Sequence, residues 1–134
     1  MLIAARGRRG VRLAALTIQA WLALALFDLM GLAGFARVHQ RVRRCRVRRR
    51  ANGAGAEEIV WAVDEACVWY VKRALCLQRS VVATWLLRRH GVPAELVIGY
   101  RPTPFESHAW VEVAGRVVND RPQYQKHFAV LERV

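Results

Sequence analysis

Three residues in the second half of the chain have the types and the order that thiol catalysis needs, namely Cys76, His108 and Asp120. Cys76 opens a segment whose apolar run, 81–87, ends before Gly91-Val92-Pro93, a pattern typical of a helix and its stop signal. Unpaired N–H groups and the helix dipole in a first turn favour a thiolate over a thiol. We therefore predict Cys76 as the nucleophile, His108 as its base and Asp120 as the residue that orients the base.

His108 and Asp120 flank a predicted β-hairpin whose turn is Ala114-Gly115. Side chains alternate along a strand, so a strict two-residue loop would pair Ala109 with Asp120 and place His108 on the opposite face. A catalytic triad needs both side chains on one face. We therefore expect a three-residue loop or one bulge in this hairpin.

Four motifs in this part of the chain are similar to one known family. They are 76–80 (CLQRS), 86–94 (LLRRHGVPA), 96–101 (LVIGYR), and 104–112 (PFESHAWVE) continued to Asn119-Asp120. The chain resembles the transglutaminase-like branch of papain-fold cysteine peptidases, and more narrowly the leader peptidases of lasso peptide biosynthesis. Together the motifs cover roughly a third of the sequence.

This resemblance implies an α+β fold with N-terminal helices followed by a small antiparallel sheet, to which the predicted strand 94–101 belongs. The implied activity is a cysteine peptidase that removes the leader from a ribosomally made precursor peptide through an acyl-enzyme. The implied partners are a lasso cyclase that receives the core peptide and a separate small leader-recognition protein, for which 134 residues leave no room. ATP enters only through the resemblance, since the sequence contains no GxxxxGK[ST] motif, and the cofactor-binding residues stay unknown.

Two other functions are compatible with the same residues. Acyl transfer from glutamine to an amine uses the same triad and differs only in what attacks the thioester, so an amine-linked product would identify it. A basic binding or scaffold protein with an inactive triad would leave Cys76 unlabelled by a thiol-reactive peptide aldehyde.

The cysteines indicate a reducing compartment and no metal site. The chain has three cysteines, Cys45, Cys67 and Cys76. This odd number does not suit a disulfide framework, and no two of them have the spacing of a metal-ligand pair. We therefore predict a cytoplasmic protein. Cys67 falls inside a helix that begins near Glu57-Glu58, where burial would raise its pKa and leave it inert.

The formal charge of +12 belongs mainly to residues 1–50, which hold twelve Arg against Asp28 alone. Within them, the uncharged run 13–27 is shorter than the ~20 apolar residues that a bilayer span needs. Its apolar residues recur at helical spacing, which predicts a helix with a face for core or partner packing, and a membrane role is the alternative. That face comprises Leu13, Leu16, Ala20, Leu24 and Phe27.

The segment 35–50 contains eight Arg, and three interpretations compete for it. It could be a solvated helix face, a contact for an acidic partner, or a nonspecific site for nucleic acid or a peripheral membrane contact. No aromatic residue interleaves 41–50, so we expect no specific nucleic-acid binding. The small-residue stretch 51–56 divides an Arg-rich helical segment (1–50) from a catalytic core (51–134), within one compact domain overall.

Overall fold

The computed structural model describes residues 2–32, 34–48, 55–71 and 74–134 of the chain. Five helices and four strands follow one another in these ranges: α1 (Leu2–Leu32), α2 (Phe35–Arg44), α3 (Ala56–Val68), α4 (Cys76–Arg89), β1 (Ala94–Pro102), β2 (Phe105–Val113), β3 (Arg116–Val117), α5 (Tyr124–His127) and β4 (Ala129–Arg133). The predicted α+β class, with helices first and a small antiparallel sheet after them, is confirmed.

The core face predicted for the first helix is confirmed at four of its five positions, and the fifth, Leu13, is half-buried. Leu16, Ala20, Leu24 and Phe27 of α1 are all at most 5% exposed, and the helix packs against α3 and α4. By length and composition, Arg6–Leu32 is also the one helix among the described residues that could cross a membrane. Core helices and signal sequences share those properties, so the observation does not place α1 in a bilayer.

The four strands form one antiparallel sheet in the order β3-β2-β1-β4. β1 and β2 pair along their whole length, from Ala94 opposite Val113 to Pro102 opposite Phe105. Gly99 lies opposite His108 in this register. The sheet therefore brings the strand that carries His108 to a central position.

Helix α4 lies between the other helices and the sheet, and its buried residues contact both. Val82, Ala83, Leu86 and Leu87 are 0% exposed and belong to the main hydrophobic cluster. At the end of α4 the guanidinium of Arg88 is buried and donates to the carbonyl oxygens of Val42, Cys45, Ala94 and Val134 at 2.7–3.1 Å. Arg88 thus ties α2, β1 and the C-terminal residue to α4, and burial lowers the pKa of its guanidinium.

Residues on both sides of the predicted 51–56 division contribute to one hydrophobic cluster, which runs from Leu16 of α1 to Val111 of β2. Of the stretch itself, residues 51–54 lie outside the described residues. The division into an Arg-rich segment and a catalytic core therefore stays a prediction.

Candidate active site

Cys76 is the first residue of α4 and is half-buried. The residue before it, Leu75, is the N-cap and has no side-chain oxygen that could accept from the first turn. Instead, the Leu75 N–H donates to Oε1 of Gln78 at 3.1 Å. The backbone N–H groups of the first turn therefore stay available as donors beside the thiol, as the sequence predicts.

Asp28 of α1 helps to hold the first turn of α4 in place through Gln78. Its carboxylate accepts a hydrogen bond from Gln78 Nε2 and one of 2.6 Å from the hydroxyl of Tyr70. Burial and the contact with Asp28 raise the pKa of Tyr70 to about 12. Asp28 therefore has a positioning role that the sequence did not reveal, because the partners lie 42 and 50 residues away.

His108 and Asp120 are in direct contact, since His108 Nε2 lies 2.9 Å from Asp120 Oδ2. The expected three-residue loop or bulge is wrong, however, because Glu112 pairs with Val117 across a strict two-residue turn at Ala114-Gly115. β3 ends at Val117, and the bends at 118–120 turn Asp120 back toward His108. Because β3 ends at Val117, Asp120 reaches His108 without a bulge in the hairpin.

A buried polar network holds these bends against the first turns of α4. Asn119 accepts from the Val111 N–H at 2.8 Å and donates to Ser80 Oγ at 3.0 Å. Ser80 in turn donates to the carbonyl of Ala109 at 3.1 Å. Because residues four apart share a helix face, Cys76 lies one turn before Ser80 on the side of α4 that faces β2.

Arg79 supplies a positive charge that the sequence did not assign to the site. Its Nη2 lies 2.9 Å from the same Asp120 Oδ2 that contacts His108. Its Nε is buried without a hydrogen-bond partner in the described part of the chain. Burial raises the pKa of the nearby Cys67 thiol although the Arg79 charge opposes the shift, which is the direction expected for Cys67. That this thiol is inert stays a prediction.

Aromatic side chains surround the imidazole of His108. The ring of Tyr124 lies 4.2 Å from it between centroids, Phe128 5.8 Å and Trp110 6.3 Å. A Cβ on Gly99 would come within 2.6 Å of Trp110, so only glycine fits opposite His108. Tyr124 and Phe128 belong to a C-terminal stretch that carries no recognisable motif, which is why the sequence missed them.

The structure brings His108 and Asp120 into contact and places Cys76 on the adjoining helix turn, but Cys76 makes no hydrogen bond to His108 within the described ranges. Such bonds are often long before substrate binds. Cys45 and Cys67 are free thiols elsewhere. Among the described residues no group of three or more His, Cys, Asp or Glu could hold a metal ion. An ATP requirement has no residue assigned to it and stays a prediction.

The site combines a cysteine at the start of a helix with a histidine on a strand and a carboxylate that contacts this histidine. Comparison of the sequence with known families points to a class of proteins with such a site. Residues 20–133 match the profile of the transglutaminase-like superfamily, so the chain belongs to that superfamily. Among its relatives is the microcin J25-processing protein McjB of Escherichia coli, 41% identical over 59 residues. That stretch is 44% of this chain and only 28% of McjB. No solved structure matches significantly. The resemblance drawn from the four motifs is confirmed.

Proposed function

We propose that this protein is a cysteine peptidase that removes the leader from a lasso peptide precursor, with Cys76, His108 and Asp120 as its triad. The observation that carries the proposal is the chain of contacts from Arg79 through Asp120 to His108, beside a cysteine at an uncapped helix start. Since Asp120 occupies Nε2 of His108, Nδ1 is the nitrogen left to take the proton of Cys76.

In the proposed reaction, His108 accepts the thiol proton and the Cys76 thiolate attacks the carbonyl carbon of the scissile peptide bond. The backbone N–H groups at the start of α4 stabilise the oxyanion, and His108 returns the proton to the leaving amine. Water then attacks the thioester, loses a proton to His108 and releases the acid and the thiol. Asp120 orients the imidazole and stabilises its charged form throughout.

The proposed substrate class is supported by the similarity to McjB, a microcin J25-processing protein, within the transglutaminase-like superfamily. The free core peptide would pass to a lasso cyclase, and a separate small protein would hold the leader. We therefore expect the purified chain alone to cleave precursor slowly and to gain rate when that small protein is added.

The test is precursor cleavage followed by mass spectrometry, with the leader-recognition protein present. Cys76→Ala should abolish cleavage, while Cys67→Ala, the matched control on another half-buried thiol, should leave it largely intact. Full activity of Cys76→Ala would refute the mechanism. A parallel reaction with excess primary amine separates the alternatives, because an amine-linked product in place of a hydrolysed one would identify an acyl transferase.

A further inference from the structure

The outward side of α1 is an exposed apolar strip that the catalytic proposal does not use. Val11, Ile18, Leu22 and Leu29 lie within about 40° of one another around the helix axis. With Leu26 and Leu32 at its edges, the strip runs about 30 Å along the helix, and these six side chains are 50–86% exposed. A contiguous exposed apolar surface of this kind marks a contact with a protein or a membrane.

A basic bowl lies beside this strip. Its cavity of about 290 Å³ is lined by five arginines, Arg41, Arg44, Arg46, Arg48 and Arg89, together with Cys45 and Trp85. In the described part of the chain none of the five guanidinium groups has a carboxylate partner. Uncompensated arginines that converge on one cavity favour an anionic ligand, and phosphate suits their forked geometry.

The strip and the bowl form one continuous surface. A second cavity of about 210 Å³ is lined by Leu22 and Leu26 of the strip and also by Trp85 and Arg89 of the bowl. The Arg89 guanidinium lies over the Trp85 ring at 4.8 Å, so an indole marks the border between the apolar and the basic part. Beyond the other end of the strip, Arg8 is exposed about 60° around the helix from the centre of the strip.

We propose that this surface docks on an anionic lipid bilayer, with α1 lying in the interface plane. The strip would enter the acyl boundary, while the bowl and Arg8 would meet lipid phosphates at headgroup level. The composition favours lipid over protein, because the strip is aliphatic and lacks the exposed Trp or Tyr anchors typical of protein interfaces. Trp85 lies at the border, where interfacial aromatic side chains are enriched. The proposal is independent of the peptidase chemistry.

Vesicle flotation of the full chain tests it. Vesicles of phosphatidylcholine with phosphatidylglycerol should carry the protein to the top of the gradient, and vesicles of phosphatidylcholine alone should carry only a trace of it. The variant Leu22→Gln with Leu29→Gln should lose most of the binding. Changing Arg41, Arg44, Arg46 and Arg48 together to Gln should weaken it roughly several-hundredfold, since each of the four arginines contributes about fivefold near the surface.

Two controls keep the result specific. Leu131→Gln removes an equally exposed leucine on β4, and Arg116→Gln with Lys126→Gln removes cations far along the chain. Both should bind vesicles like the parent protein. Labelling of Cys76 should be unchanged in every variant, which separates a failure of docking from a failure of the fold.

Three outcomes would overturn the proposal. The first is equal binding to both kinds of vesicle. The second is no vesicle binding together with a concentration-dependent dimer that Leu22→Gln with Leu29→Gln disrupts, because a second copy would then cover the strip. The third is vesicle binding that free pyrophosphate abolishes but that the leucine changes do not affect, since the bowl would then bind phosphate alone.

Discussion

The two ends of α4 use buried polar side chains for different purposes. At the amino end, Arg79 and Ser80 bind Asp120 and Asn119, next to His108. At the carboxyl end, Arg88 binds only backbone carbonyl oxygens. None of these oxygens belongs to a residue of the proposed triad, whereas Asp120 and His108 are members of it. We therefore expect the amino end to control the rate of the reaction and the carboxyl end to control stability alone.

The largest effect on rate short of removing the nucleophile should come from Asp120→Asn. Loss of the carboxylate leaves His108 in the wrong tautomer, a change that costs roughly 10⁴ in the rate of serine-protease triads. Precursor cleavage should fall by a factor of that order, while thermal unfolding changes little. An unchanged cleavage rate would remove Asp120 from the mechanism.

The carboxyl end should give the largest effect on stability. Arg88→Met leaves the carbonyl oxygens of Val42, Cys45, Ala94 and Val134 without their donor, and we expect a loss of about 3 kcal/mol. Tm should fall by about 10 °C, measured by calorimetry. Arg89→Met, whose side chain lines a surface cavity, is the matched control. If Arg88→Met slowed cleavage per folded molecule as much as Asp120→Asn, the two ends would not differ in purpose.

A smaller change in rate should follow from Arg79→Gln. Without the guanidinium, the Asp120 carboxylate that contacts His108 loses the cation beside it, so the imidazole is oriented less firmly. We expect roughly a tenfold loss near neutral pH and partial recovery in Arg79→Lys. Asp64 of α3 also interacts electrostatically with Arg79 and Asp120, and Asp64→Asn serves as the reference for a general charge effect. A tenfold loss of rate that Arg79→Lys did not recover at all would mean that the positive charge of Arg79 has no role in the reaction.

The smallest effect concerns Glu112, which is 3% exposed and contacts Gln125, Arg133 and Trp110. Burial raises the pKa of Glu112, but hydrogen bonds from these three residues outweigh it and hold the pKa below its ordinary value of 4.5. A depressed pKa stabilises the fold above pH 4.5, and that stability is lost as the pH falls through the lower, folded-state value. Glu112→Gln should cost about 1 kcal/mol at neutral pH and flatten the acid part of the stability curve. A curve with the parent's slope would contradict this.

Local patterns predicted helices α1, α3 and α4, the strand at 94–101 and the hairpin turn, because periodicity and turn residues act over a few positions. Helix α5 was not predicted. The route by which Asp120 reaches His108 was mispredicted, since where β3 stops depends on Asn119 binding Ser80, 39 residues away. In the sequence, Arg79 and Arg88 have the same appearance, because each is a charged residue on the same predicted helix. Only the fold distinguishes the arginine that binds a carboxylate from the one that binds four carbonyl oxygens.

The most direct test of the account is the rate at which iodoacetamide alkylates each thiol at about pH 6.5, two units below the ordinary thiol pKa of about 8.5. Mass spectrometry identifies the modified cysteine, and His108→Ala is the matched variant. We predict that Cys76 reacts well before Cys45 and Cys67, and that His108→Ala removes this lead. If Cys45 or Cys67 reacted first, or if Cys76 kept its lead without His108, Cys76 would not be a nucleophile activated by His108.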